Sequence, residues 1–233
     1  MKETMKVMVV NSSPRMDKGN TALILNPFIE GMEEKGAEVE IYYTNKLKIN
    51  PCQGDMTCMR SIGNCFQKDD MEWLLPNVNS ADILVMASPL YCDGVTGPMK
   101  MFMDRLVPSI HLTMEIRDNH VRHPVREEMN LEKVVLVSNC GLWEMDNFDP
   151  MINHIKAYCK NLNAEYVGAL LRPHAPVLRP MLKNKGDVSD IIESARKAGY
   201  ELIEYGKISS ETMNNISRPI ISKEDYINIV NQE

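Results

Sequence analysis

Short, uniformly apolar runs that alternate with longer amphipathic stretches most constrain the fold of this chain. Runs without alternation of apolar and polar residues predict strands buried on both faces, as in parallel sheets covered by helices. The stretches between them have the spacing of helices with one apolar face. The predicted strands span residues 6–10, 38–43, 82–87, 133–138 and 164–171. The predicted helices span residues 21–34, 68–79, 97–107, 146–162, 186–205 and 223–230.

This order of five strands and intervening helices predicts an α/β fold with a doubly wound parallel sheet and helices on both faces. Ligands of such sheets bind at the carboxyl ends of the strands, where the strand order reverses. We therefore expect functional residues just after Val10, Ala87 and Ser138. Pro27 lies inside the first helix and lacks a backbone N–H, which predicts a kink or an early end there.

Length and composition exclude several classes of protein. The chain has 233 residues, 44% of them hydrophobic, which supports one large domain with a real core. A net charge of -6 argues against a nucleic-acid partner, whose binding surface would be basic. The longest apolar runs are far shorter than the roughly 20 residues of a spanning helix, and no secretory signal is visible. We therefore expect a cytoplasmic protein without a membrane partner, whose cysteines are thiols or metal ligands before disulfides.

The loop after the first strand combines groups that bind an anion. It offers hydroxyls, an amide, a helix start and a permanent cation, with Gly19 allowing a close approach to the ligand. Neither a dinucleotide fingerprint nor a triphosphate loop is present, so a monophosphate ligand fits best. A polar strand-to-helix turn with a good cap would use the same residue types. The residues are Ser12, Ser13, Arg15, Asn20 and Thr21.

The loops after the third and fourth strands are rich in proline, glycine and aromatic residues. Residues 88–98 contain Ser-Pro-Leu-Tyr, and residues 139–143 read Asn-Cys-Gly-Leu-Trp. Either loop could wrap a flat ring, although loops often contain such residues. Their place on the same edge of one predicted sheet as the first loop favours a shared site.

These motifs together resemble the NAD(P)H-dependent FMN reductase family of flavodoxin-like proteins. The resemblance rests on Ser-Pro-Arg at 13–15, Gly-Asn-Thr at 19–21, Ser-Pro-Leu-Tyr at 88–91 and Met-Lys-Met-Phe-Met-Asp-Arg at 99–105. It covers roughly residues 6–173, and a cysteine-containing insertion narrows it towards the iron–sulfur flavoprotein branch. The fold it implies is the flavodoxin-like five-stranded sheet.

The resemblance implies noncovalently bound FMN, and no residue is singled out as a catalytic acid or base. It implies an enzyme that moves electrons from NAD(P)H or a protein donor through FMN to a quinone, flavin, or other small or protein acceptor. An iron–sulfur electron carrier and a non-redox phosphate-binding module are the alternatives. The phosphate would be held by Ser13, Arg15, Asn20 and Thr21. The ring would lie between Pro89, Leu90, Tyr91 and Cys92 on one side and Asn139, Cys140 and Gly141 on the other.

Three closely spaced cysteines suit an iron–sulfur cluster. Cys52, Cys58 and Cys65 match three of the four cysteines of the iron–sulfur branch, but Asp55 stands at the position of the second. A carboxylate is a harder ligand and holds such clusters less readily than a thiolate. Four interpretations stay open: a [4Fe-4S] cluster completed by Asp55 or an external ligand, a degenerate site, a zinc site with Asp55, and a redox-active thiol pair.

Two insertions and a tail exceed what the predicted sheet needs. The insertions are residues 44–67, with the three cysteines, and residues 109–132. The second is expected to form a substrate lid or an arm that reaches a partner subunit, since long insertions are usually functional. We expect a flavodoxin-like domain over 1–206 and a helical tail over 207–233, packed on the same domain or on a partner in a homo-oligomer. The histidines and arginines of the second insertion are His111, His120, His123, Arg117, Arg122 and Arg126.

Overall fold

The computed structural model of the protein describes residues 4–60 and 63–232. The five strands of the predicted sheet lie close to their predicted places. Parts of the predicted domain, cysteine insertion and tail, at residues 1–3, 61–62 and 233, lie outside the described residues. The strands are β1 (Lys6–Asn11), β2 (Glu38–Tyr43), β3 (Ile83–Pro89), β4 (Glu115–Arg117), β5 (His120–Arg122), β6 (Lys133–Asn139) and β7 (Glu165–Arg172).

Five of these strands form one parallel sheet in the order β2-β1-β3-β6-β7. The order reverses between β1 and β3, so the chain winds in both directions from the centre. The central strand β3 is buried along its whole length, whereas the edge strand β2 is not. This strand order confirms the predicted flavodoxin-like fold. The fold follows from the sequence because uniformly apolar strands must be covered on both faces. The short strands β4 and β5 pair antiparallel within the second insertion.

Helices cover both faces of the sheet. Two apolar cores, one on each face, lie between the sheet and these helices. One core contains residues of the third, fourth and fifth helices, and the other contains residues of the first, seventh and eighth. No described helix is long and apolar enough to cross a membrane. The helices are α1 (Asn20–Glu34), α2 (Thr57–Arg60), α3 (Met71–Ser80), α4 (Gly97–Asp104), α5 (Asp149–Leu162), α6 (Leu178–Lys183), α7 (Ser189–Tyr205), α8 (Ser210–Ser217) and α9 (Lys223–Val230).

Close packing of α1 against α7 explains why the helix does not end at Pro27. A side-chain carbon at Gly31 would lie 1.9 Å from the carbonyl oxygen of Arg196, and one at Gly199 would lie 2.0 Å from that of Phe28. The two helix backbones therefore touch directly. Helix α1 continues through the buried Pro27, so the helix does not end early there, and the predicted kink stays a prediction. Packing along the whole helix outweighs the single hydrogen bond that proline removes.

The tail first packs beside the edge strand β7 and then contacts the carboxyl edge of the sheet. Helix α8 packs against α7 and β7, while Tyr226 of α9 bonds to the loop after β6. The division of the chain at residue 206 stays a prediction.

Candidate functional site

Three loops meet at the carboxyl edge of the sheet, where the sequence predicted a ligand. The backbone N–H of Ser12 donates to the carbonyl of Ala87 at 2.8 Å, and that of Leu90 donates to the carbonyl of Asn139 at 2.8 Å. The side-chain amide of Asn139 donates to Thr21 Oγ1 at 2.6 Å. The loops after β1, β3 and β6 thus form one connected surface.

The loop of residues 11–21, which we call the phosphate loop, is folded mainly by its own backbone. Ser13 N donates to Asn11 Oδ1 at 2.9 Å, Met16 N donates to Ser13 O at 2.9 Å, and Gly19 N donates to Met16 O at 3.2 Å. A side-chain carbon at Gly19 would lie 2.5 Å from Ser13 Oγ. Glycine at position 19 therefore lets the start of α1 approach the Ser13 hydroxyl.

The phosphate loop presents several donors and an uncommitted guanidinium. Ser13 and Thr21 are buried, and Asn20 is the first residue of α1, whose initial N–H groups have no partner within the helix. Because Thr21 Oγ1 accepts from Asn139, its own hydrogen is left to donate. The guanidinium of Arg15 is exposed and forms no hydrogen bond or ion pair with any described residue.

Unsatisfied polar atoms also collect at this edge. Asn11 Nδ2, Thr44 Oγ1 and Ser138 Oγ are buried without a hydrogen-bond partner among the described residues. They stand at or beside the carboxyl ends of β1, β2 and β6. Buried polar groups in native proteins nearly always have a partner. Their concentration at one edge fits a polar ligand, and the donors of the phosphate loop fit the phosphate of FMN.

The loop after β3 turns sharply beside this edge. Tyr91 and Gly94 exchange backbone hydrogen bonds of 3.0 and 3.1 Å, around Cys92 and Asp93, which both have left-handed φ angles of 47° and 60°. Such angles are costly for residues other than glycine. Pro89 is buried, Leu90 half-buried, and Tyr91 and Cys92 are exposed. The turn thus places an aromatic ring and a thiol at the surface of the predicted ring site.

The loop of residues 139–143, which we call the ring loop, is held by the last residue of β7 and by residues beyond that strand. Cys140 N donates to Arg172 O at 3.1 Å, and Cys140 O accepts from Ala175 N at 2.9 Å. Asn139 and Cys140 are buried, whereas Gly141 is exposed. Burial raises the pKa of the Cys140 thiol, so this cysteine is a protonated packing residue rather than a nucleophile.

Two buried basic residues behind the ring loop were missed by the sequence reasoning. Arg172 is fully buried, and His174 Nε2 lies 3.1 Å from its guanidinium and accepts from Ile220 N at 3.1 Å. Burial, and then the Arg172 charge, lower the pKa of His174 to about 4, so its ring is neutral at pH 7. Polar residues directly after an apolar strand were the available signal, since Arg-Pro-His follows the fifth strand at the ligand edge. The guanidinium of Arg172 donates to the carbonyl oxygens of Pro173, Ile216, Ser217 and Arg218.

The three candidate metal cysteines are not gathered into a metal site. Cys52 is exposed, Cys58 buried and Cys65 half-buried. Burial is the main cause that raises the pKa of the Cys58 thiol above its usual value. Asp55 bonds to Thr57 N and Oγ1 at the start of α2. No three metal-ligating side chains among residues 4–60 and 63–232 are positioned around one ion.

Arg105, directly after α4, holds the insertion of residues 44–67, which we call the cysteine loop, and forms a buried ion pair. Its Nη1 lies 2.5 Å from Asp69 Oδ2 and donates to Asn50 O at 2.8 Å. Its Nη2 approaches Cys65 Sγ at 3.7 Å. Burial alone would raise the pKa of Asp69, but Arg105 and two backbone N–H groups hold it below its usual value. Arg105, the last residue of the 99–105 motif, therefore supports the loop.

The histidines of the second insertion do not converge. His120 Nδ1 pairs with Asp118 O at 2.8 Å, and His123 Nδ1 with Thr113 O at 2.9 Å. The β4–β5 hairpin is tied to α5 by Arg117, which donates to Lys160 O at 3.0 Å. Its role as a lid or a partner arm stays a prediction.

Comparison with known proteins agrees with this geometry. A family model described as NADPH-dependent FMN reductase matches residues 5–137. An iron–sulfur flavoprotein of Archaeoglobus fulgidus is 39% identical over 107 residues, which are 46% of this chain and 48% of that protein. One of Methanocaldococcus jannaschii is 36% identical over 104 residues, or 45% and 53% of the two chains. The chain spans about half the length of the curated relatives it matches.

Solved structures share the fold at low sequence identity. The NAD(P)H:quinone oxidoreductase from Methanothermobacter marburgensis superimposes with a TM-score of 0.65 at 17% identity, over 86% of this chain and 98% of that one. An FMN-dependent NADH-azoreductase from Bacillus anthracis in complex with FMN has a TM-score of 0.62 at 16% identity, over 86% of this chain and 100% of that one. At these identities the likeness shows the fold alone.

Proposed function

Because this chain belongs to the NADPH-dependent FMN reductase family, we propose that it binds FMN and transfers electrons from NAD(P)H or a protein donor to a small-molecule or protein acceptor. Quinones and free flavins are the candidate small acceptors. FMN supplies the redox chemistry when bound, and the protein positions it and tunes it with hydrogen bonds and charge. A cytoplasmic location and a homo-oligomeric state accompany this proposal as expectations.

The observation that carries the proposal is the chemistry of the phosphate loop. A phosphate that bears up to two negative charges needs donors and a permanent cation. Ser13, Asn20 and Thr21 offer the donors, and Arg15 offers a guanidinium with no other partner among the described residues. The N-terminus of α1 adds backbone N–H groups to the same place.

The ring is proposed to lie between the loops after β3 and β6. The bond between Leu90 N and Asn139 O holds the two loops side by side. The proposed ring contacts are Pro89, Leu90, Tyr91 and Cys92 from one loop and Asn139, Cys140 and Gly141 from the other. None of these side chains is proposed as a catalytic acid or base.

The test is an Arg15→Ala substitution, measured by titration of flavin fluorescence. Loss of charge-assisted bonds worth about 1.5–3 kcal/mol should weaken FMN binding by roughly 10- to 150-fold. Riboflavin, which has no phosphate, should bind as it does to the wild type. Lys207→Ala is the control, because it removes a positive charge near the start of β6, at the opposite edge of the sheet. FMN affinity within twofold of wild type in Arg15→Ala would refute this phosphate site.

A second candidate function is electron transfer through an iron–sulfur cluster. The close spacing of Cys52, Cys58 and Cys65 along the chain favours it, as does the likeness to proteins named iron–sulfur flavoproteins. A [4Fe-4S] cluster held by these cysteines would suit a carrier of single electrons. In such a site Asp55 or an external group would be the fourth ligand.

Analysis of protein purified without oxygen separates these candidates. Flavin absorption with no iron supports the reductase alone. Flavin together with about four irons per chain and broad visible absorption supports the cluster, and Cys58→Ser should then lose the iron. Protein that stays colourless after FMN is added contradicts both and supports a non-redox phosphate-binding module.

A further inference from the structure

The C-terminal helix reaches back to the predicted flavin site. The hydroxyl of Tyr226, in α9, donates a hydrogen bond to the carbonyl oxygen of Gly141 in the ring loop. Tyr226 is only 7% exposed, so its side chain is largely buried although Gly141 itself lies at the surface. Lys223, also in α9, forms an ion pair with Glu144 just beyond the loop. Two side chains of α9 therefore contact the segment that starts at the end of β6.

Tyr226 completes a set of bonds that fixes the ring loop. Three successive carbonyl oxygens of the loop each accept from a residue beyond β7. Cys140 O accepts from Ala175 N at 2.9 Å and Leu142 O accepts from His174 N at 2.7 Å. Gly141 O, between them, accepts from Tyr226. The conformation of the loop is thus set from outside the loop.

Gly141 is the residue that most needs this restraint. Glycine has the greatest backbone freedom of any residue. A side-chain carbon at Gly141 would have no neighbour within 4 Å, so no packing restrains it. The peptide on its N-terminal side is held by Ala175, and the peptide on its C-terminal side is held by Tyr226. Removal of the Tyr226 hydroxyl would free the second of these peptides.

The same bonds orient a backbone donor of the ring loop. Because the peptide unit is planar and trans, the N–H of Gly141 points opposite to the carbonyl of Cys140. That carbonyl faces Ala175, so the Gly141 N–H points away from the segment beyond β7. This N–H has no partner among the described residues. It is available to an acceptor on a bound ligand.

We propose that Tyr226 is a positioning residue of the flavin site. It locks Gly141, and with it the ring loop, in the conformation that receives the isoalloxazine ring, so the tail is part of the site. This inference rests on the proposed binding of FMN.

A packed aromatic cluster keeps Tyr226 in place. The ring of His174 lies 5.8 Å from the Tyr226 ring, edge-on, and 5.9 Å from the Trp143 ring, stacked. Trp143 Nε1 donates to Ile221 O at 3.4 Å. These contacts join the tail to the end of the ring loop. The Tyr226 hydroxyl is therefore held at Gly141 by its surroundings and not by helix α9 alone.

The test is Tyr226→Phe, which keeps the ring and removes only the hydroxyl. Affinities for FMN and riboflavin are measured by titration of flavin fluorescence. Loss of one hydrogen bond of about 1 kcal/mol should weaken the binding of both flavins by the same factor, roughly fivefold. Arg15→Ala should weaken the binding of FMN but not that of riboflavin. The two variants therefore distinguish an effect on the ring site from an effect on the phosphate site. Tyr205→Phe, at a 61% exposed tyrosine that ends α7, is the matched control.

Hydrogen exchange of the flavin-free protein provides a second measurement. Amides of residues 139–143 should exchange faster in Tyr226→Phe, while those of the phosphate loop should not change. Unchanged exchange in the ring loop would overturn the inference, as would wild-type affinity of the variant for both flavins. A loss of FMN affinity with normal riboflavin affinity would also overturn it. Failure of the wild type to bind either flavin would instead refute the proposed function.

Discussion

The phosphate loop and the ring loop lie at the same edge of the sheet but are stabilised in different ways. Bonds between near neighbours shape the phosphate loop, such as Met16 N to Ser13 O and Gly19 N to Met16 O. The carbonyls of the ring loop instead accept from His174, Ala175 and Tyr226, far along the chain. The turn of the phosphate loop is closed by bonds within the loop, whereas the carbonyls of the ring loop depend on donors that follow β7.

Each of the two loops is supported by an arginine that is buried or half-buried. Substitution of each arginine measures how far its loop depends on distant residues. Half-buried Arg179 donates to the phosphate loop carbonyls of Lys18 and Gly19 at 2.8 and 3.0 Å. Fully buried Arg172 donates to carbonyls of the tail, which also carries Tyr226, one of the ring loop's partners. Burial, and then the charge of Arg218, lower the pKa of Arg172 to about 10, so it stays a cation at pH 7.

The largest effect should come from Arg172→Leu. It leaves the carbonyl oxygens of Ile216 and Arg218 without their donor, at 2.7 Å each in the native protein. Buried carbonyls without a donor cost about 1–3 kcal/mol each, so the free energy of unfolding in urea should fall by about 3–5 kcal/mol. Arg179→Leu should lower it by less than about 1 kcal/mol, because water can replace a half-exposed donor. Equal losses would show that both loops depend alike on distant support.

This contrast also explains what the sequence could predict. The sheet and the phosphate loop follow from patterns within a few residues, such as the apolar run before Asn11 and the Gly-Asn-Thr at 19–21. The ring loop was predicted as part of the site from its position after a strand, but its hydrogen bond with Tyr226 was not predicted. The burial of Asp69 against Arg105 was missed for the same reason. Such pairings join residues far apart in the chain, and their spacing carries no periodic signal.

The next effect is a dependence of stability on pH that originates behind the ring loop. The pKa of His174 is lowered from 6.5 to about 4, so the unfolded chain takes up this proton at a higher pH than the folded protein. The contribution of neutral His174 to the free energy of unfolding is present in full above pH 6.5. It is lost as the pH falls towards 4, by up to about 3 kcal/mol. The measurement is urea unfolding at pH 7 and pH 4.5.

A His174→Gln variant isolates this effect. Glutamine does not titrate, and its side-chain oxygen can accept from Arg172 and Ile220 N in place of Nε2. The variant should lose less stability than the wild type between pH 7 and pH 4.5. Asp69 and Asp190, whose pKa values are lowered by their arginine partners, contribute in the same direction in both proteins. Parallel pH profiles would show that His174 is not the group responsible.

The smallest change in stability should come from Gly19→Ala in the phosphate loop. The new side-chain carbon would lie 2.5 Å from Ser13 Oγ, a hydroxyl that can rotate away, and the φ of Gly19 is an ordinary −76°. The free energy of unfolding should therefore change by less than about 1 kcal/mol. FMN affinity should still fall by roughly five- to tenfold, because one donor to the phosphate is displaced, while riboflavin affinity stays unchanged. Gly97→Ala, whose added carbon meets no atom within 4 Å, is the control. A loss of stability above about 2 kcal/mol would mean that Ser13 cannot move, and that the phosphate loop is as rigidly determined by its surroundings as the ring loop.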